Sequence, residues 1–78
     1  MIYVKNKALI VAVGERLREL RLQRGFSQEE LAYEADVPLS QIGRIERGEN
    51  NPTISTLFVL AEALGVELKD LVDVVFKK

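Results

Sequence analysis

Leu9, Val13, Leu17 and Leu20 recur at spacings of four, four and three, with Ile10 beside them. That period is one face of an amphipathic helix, predicted from about Lys7 to Arg24. Gly25 stops it. Ser27 stands three residues before Glu30, the pattern in which each side chain satisfies the other's free backbone N–H. A second helix is therefore expected from Gln28 to about Ala35, with Leu31, Ala32 and Ala35 inward. Asp36 and Val37 make a short turn, and Pro38 suits the first position of a third helix, where its missing N–H costs nothing. Gly48 ends that helix, and Asn50, Asn51 and Pro52 form a loop. Thr53 then caps a fourth helix that carries Leu57, Leu60, Ala61 and Leu64 on one face and closes at Gly65. A fifth short helix from about Glu67 places Leu68, Leu71, Val72 and Val75 inward. The expected fold is all-α, five helices in one domain over residues 1–78. Residues 1–6 stand apart as an N-terminal arm, since Ile2, Tyr3 and Val4 are β-prone and fit an extended arm, a short strand or a frayed end equally well.

Composition narrows the function. The 78 residues contain no cysteine and no histidine, which removes disulfides, the commonest metal ligands and every catalytic dyad or triad built on either residue. Neither an enzyme nor a metal or other cofactor is expected. The longest apolar run, Ala8 to Val13, is six residues, far below the ~20 needed to span a bilayer. It follows Lys5 and Lys7, as in a signal peptide, but its helical pattern continues through Gly14, Glu15 and Arg16. It is read as part of the fold, and the protein as cytoplasmic. Eleven basic residues against twelve acidic do not announce a polyanion partner. Residues 1–48 hold eight Lys or Arg against seven Asp or Glu, and 49–78 hold three against five. A polyanion would meet the N-terminal part.

Two short helices joined by a tight turn, Gln28 to Ala35 and Pro38 to Arg47, form the arrangement that sets one helix on a phosphate backbone and the next in the major groove. Projected at about 100° per residue, Ile42 and Ile45 fall on one side of the third helix, while Leu39, Ser40, Gly43, Arg44 and Arg47 share an arc of roughly 140° on the other. The chemistry of that arc suits base edges. Arg44 can donate two hydrogen bonds to guanine, Ser40 can donate or accept, Leu39 can touch a thymine methyl, and Gly43 allows close backbone approach. On the residues alone, a helical bundle with a merely solvated polar face remains the other reading.

From Gly14 to Val66 the sequence resembles the helix-turn-helix domains of phage repressors, Cro proteins and bacterial Xre-type regulators. The match is carried by GERLRELRLQRGFSQEELA, VPLSQIGRIERGENNP and TLFVLAEALGV. The resemblance implies a five-helix repressor-like DNA-binding domain whose helix-turn-helix spans residues 28–47. It makes Gln28 a phosphate-binding residue and Ala32 the small residue at the helix crossing. Leu39, Ser40, Gly43 and Arg44 take positions that contact bases, Arg47, Asn50 and Asn51 lie where the backbone is touched again, and Arg21 and Glu46 form an internal salt bridge. Two departures fall at the turn. Asp36 replaces the common glycine at a left-handed position, which Asp tolerates better than most residues, and Pro38 replaces the usual Ser or Thr cap. Leu39 also stands where a polar residue is common, so the preferred sequence should differ from those of the best-known members.

The function implied is a sequence-specific, DNA-binding transcriptional regulator acting as a homodimer on a roughly palindromic operator. Restriction-modification controller proteins and antitoxin-like autoregulators are narrower versions of it. A protein-interaction adaptor, in which the Arg44 face binds an acidic protein, is the reading from another class. The dimer contact is expected in the C-terminal part, because Val59, Val74 and Phe76 are apolar residues left over once the inward faces are filled.

Overall fold

The structure, a computed structural model, describes residues 5–76. Of the expected arm, Ile2, Tyr3 and Val4 lie outside that range. Five helices follow in order: α1 (Lys7–Arg24), α2 (Gln28–Ala35), α3 (Leu39–Glu46), α4 (Ile54–Leu64) and α5 (Leu68–Leu71). Among the described residues none is long and apolar enough to cross a membrane.

The caps account for most of the boundaries. Asn6 accepts from the Leu9 backbone N–H at 3.0 Å to start α1, and Ser27 with Glu30 forms the reciprocal capping box of α2. Thr53 accepts from Thr56 N–H to start α4. Each such cap satisfies a backbone donor that the first turn leaves without an intrahelical partner.

Leu17, Leu31, Ile42, Ile45, Leu60 and Leu71 are the largest fully buried side chains, each stabilising the fold by about 1.5–3 kcal/mol through removal from water. They come from all five helices, so no helix buries its apolar face alone. α1 packs on α3, α2 on both α3 and α4, and α5 closes the gap between α4 and α1. The tightest approach is α1 on α3. A Cβ on Gly14 would overlap the Ile45 carbonyl oxygen and lie 3.2 Å from that of Glu46. A Cβ on Gly48 would stand 2.7 Å from Val11, at a backbone φ of +73° that already disfavours a side chain. Lys7 Nζ donates to the Gly48 carbonyl at 2.6 Å, so the first turn of α1 is pinned to the end of α3.

Three expectations need correction. Pro38 is the N-cap of α3 rather than its first helical residue, with φ −55° and an extended ψ of 139°. Its carbonyl accepts from the Gln41 and Ile42 N–H groups, so the helix begins one residue later, at Leu39, and it ends at Glu46. The fifth helix is a single turn, and the inward set is different. Val72 is 47% and Val75 fully exposed, whereas Val74 packs against the core. Val72 has left helical geometry at φ −104°, ψ 6°. The β-branched residues that follow gain little from continuing a helix, and the Val74 N–H donates to the Val72 carbonyl at 2.9 Å, so the chain turns there and the helical period is lost. The third correction concerns Gly43, which lies on the free side of α3 but is buried there.

Candidate nucleic-acid interface

α2, the turn and α3 form a unit whose geometry follows from local chemistry. In the capping box that starts α2, hydrogen bonds from Ser27, its backbone N–H first, hold the exposed Glu30 carboxyl below the usual carboxylate range. Asp36 ends α2 in the left-handed conformation at φ 54°, and the next N–H, from Val37, donates back to the Ala32 carbonyl at 3.1 Å. That closing bond reverses the chain without a glycine. Val37 packs against the core, and Pro38 then launches α3 at a new angle.

α3 is held from beneath by Ile42 and Ile45, 0% and 1% exposed, and from the side by an ion pair. Arg21 is buried on α1 and donates from Nε to Glu46 Oε2 at 2.6 Å and from Nη2 to Oε1 at 2.9 Å. Its Nη1 donates to the Phe26 carbonyl at 2.8 Å. The bond to Glu46 raises the Arg21 guanidinium further above its already high value, against the opposing effect of burial. One side chain thus ties α1 to α3 and to the loop before α2. This is the salt bridge that the resemblance implied.

The opposite side of α3 is open. Leu39, 46% exposed, Ser40 and Arg44 all face solvent, and Arg44 makes no ion pair with any described residue. Gly43 lies between them but is covered, because Arg47 folds back along α3 and a Cβ at position 43 would stand 2.8 Å from Arg47 Nη1. Arg47 is itself engaged, Nε donating to Glu49 Oε2 at 2.8 Å and Nη2 to Oε1 at 3.3 Å. The pair moves Arg47 up and Glu49 down from their ordinary values, the hydrogen bonds between them being the main cause.

The other site residues divide. Gln28, at the first position of α2, is half-buried and donates from Nε2 to Glu46 Oε1 at 3.1 Å. It belongs in part to the buried ion-pair network. A side-chain amide has two N–H groups, so one remains for a phosphate. Asn50 is half-buried and Asn51 exposed, with Asn51 at the rim of an apolar groove formed with Asn6, Leu9, Ile10, Val13, Leu57 and Val72. Val59 is half-buried on α4, and Phe76, also half-buried, lines with the fully exposed Val75 a shallow cleft beside Lys7, Ala8, Val11 and Ala12 of α1. The expected dimer residues therefore do not form one open patch, since Val74 turns inward. Lys7 and Glu49 were missed, and their only signal is charge near the ends of α1 and α3.

Comparison with known proteins agrees with this geometry. Residues 17–71 match the helix-turn-helix family HTH_3. The control protein C.BamHI of Bacillus amyloliquefaciens is 41% identical over 61 residues, 77% of this chain and 75% of that protein. The immunity repressor of Bacillus phage phi105 is 37% identical over 62 residues, 80% of this chain and 43% of the repressor. Among solved structures, the restriction-modification controller protein C.AhdI from Aeromonas hydrophila superposes with a TM-score of 0.78 at 42% identity, covering 80% of this chain and 94% of that one. The biofilm regulator SinR, solved in complex with DNA, gives 0.75 at 35% identity over 78% of this chain and 98% of that one. With its tight α2–α3 turn, its buried Arg21–Glu46 tie and an open face on α3, the chain belongs to the Xre-like helix-turn-helix family of DNA-binding transcriptional regulators.

Proposed function

We propose that this regulator binds a roughly palindromic operator as a homodimer, reading bases in the major groove with Leu39, Ser40 and Arg44. Gln28, Arg47, Asn50 and Asn51 contact the flanking phosphates. The observation that carries the reading is Arg44: exposed, outside any ion pair with the described residues, and central on the one side of α3 that the core leaves free. A guanidinium there has the two parallel donors that guanine's major-groove edge accepts. Gly43, under Arg47, takes part only if Arg47 moves.

Selection of bound duplexes from a random pool supplies the specific site for the test. Arg44→Ala is expected to lose about 1–3 kcal/mol on that site, with relaxed preference at one base pair per half-site and a much smaller loss on random DNA. Equal losses on both would make Arg44 a phosphate contact and move base reading elsewhere. The controller-protein reading is favoured by the similarity to C.BamHI and C.AhdI, which this chain covers over most of their length. It requires that the selected site lie ahead of restriction-modification genes.

The dimer contact is proposed on α4 and the segment after α5. Val59 is half-buried there, Phe58 is 50% and Val72 47% exposed, and a two-fold pair would set its α3 helices about 34 Å apart, one DNA turn. Sedimentation equilibrium at micromolar concentration is expected to return a dimer, and a Phe58→Asp plus Val59→Asp double variant a folded monomer. A strictly monomeric unsubstituted protein removes the dimer; a double variant that still dimerises moves the contact.

A further inference from the structure

Glu49 sits where folding gives it little reason to be. It follows Gly48 at the C-terminal end of α3, the end of a helix that disfavours an anion. Its backbone is held in place, since its N–H donates to the Arg44 carbonyl at 2.8 Å and the adjacent Gly48 carbonyl is taken by Lys7. The carboxylate meets the Arg47 guanidinium through two hydrogen bonds, and Arg44 and Lys7 are near enough to act on it as well. Both partners are more than half exposed, 58% for Arg47 and 54% for Glu49. A pair made in water is weak and readily exchanged. The guanidinium fork that fits a carboxylate fits a phosphate in the same way. So Arg47, expected on the DNA backbone, already holds an anion, and in holding it lies across Gly43 in the middle of the reading helix.

We propose that Glu49 is an internal competitor for DNA phosphate: it occupies Arg47 in the free protein, and duplex binding exchanges the carboxylate for a backbone phosphate. This rests on the DNA-binding function above and deepens it, naming Glu49 as a positioning residue that acts through Arg47 and sets the general affinity for DNA. Exchange frees the surface over Gly43 as it secures the backbone, so the helix is uncovered only when a polyanion is present.

The test is a double-mutant cycle on a fluorescein-labelled duplex of random sequence, followed by anisotropy at low salt. Glu49→Gln is expected to bind about three- to fivefold more tightly than the unsubstituted protein, while the same change made on Arg47→Ala shifts affinity less than about twofold. Thermal unfolding of Glu49→Gln should stay within about 2 °C of the unsubstituted protein, as for a surface pair. Gains of equal size with and without Arg47 would make Glu49 a general negative charge and overturn the proposal. An unchanged Glu49→Gln affinity, or a large fall in its melting temperature, would overturn it too. Failure of the unsubstituted protein to bind any duplex is a separate result, which removes the DNA-binding role and this proposal together.

Discussion

Glu46→Ala is expected to destabilise the fold by about 3–5 kcal/mol, because it leaves a buried guanidinium without its counter-ion. Arg21 is 6% exposed and gives two of its donors to Glu46, keeping only the Phe26 carbonyl when the carboxylate is gone. The Gln28 amide loses its acceptor at the same time. For a chain of 78 residues, whose whole stability is of the order of 4–12 kcal/mol, such a loss is a large share of the total. It should appear as a fall in melting temperature of more than 10 °C. Replacing Arg21 as well, by Met, should recover part of the loss, since the apolar side chain leaves no unpaired charge to desolvate. A Glu46→Ala protein as stable as its parent would show that Arg21 finds water, and that the tie between α1 and α3 contributes almost nothing.

Gly14→Ala is the second large effect, and its sign runs against helix propensity. On an exposed helix the change would stabilise by about 1 kcal/mol. Here the added methyl overlaps the Ile45 carbonyl oxygen, with Glu46 carbonyl oxygen close behind. Both are backbone atoms of α3, so relief requires the two helices to separate. A net loss of about 2–3 kcal/mol is expected from overpacking of this kind, with weaker DNA binding because the helix displaced is the one proposed to read bases. Thermal unfolding measures the first effect and anisotropy on the selected operator the second. A variant more stable than its parent would mean that α1 and α3 do not approach this closely.

The positions that sequence reasoning read well are those where one local rule decides. The left-handed Asp36 came from the family resemblance, while the span of α1 and the capping box at Ser27 and Glu30 each follow from a short run of residues and its backbone requirements. So does the exposure of Leu39, Ser40 and Arg44, because two isoleucines three apart leave only one way to orient α3. The misread positions depend on something beyond the run. Gly43 has the angle of an exposed residue, but projection cannot show that a long side chain one turn on folds back over it. Val72 and Val75 extend the apolar helical period of α5, yet that period carries no information about where the backbone stops being helical. The second role of Gln28 was hidden because its partner is 18 residues away.

The side chains that tie α3 to the core and to the buried ion pair, Ile42, Ile45 and Glu46, lie on the side turned from solvent, while those of Leu39, Ser40 and Arg44 are exposed. Anchoring and the proposed base reading thus fall to non-overlapping sets of side chains on one helix of eight residues. On that reading the preferred target can be changed at the outer positions without touching the side chains that anchor the helix, so a change of specificity need not pass through a misfolded protein.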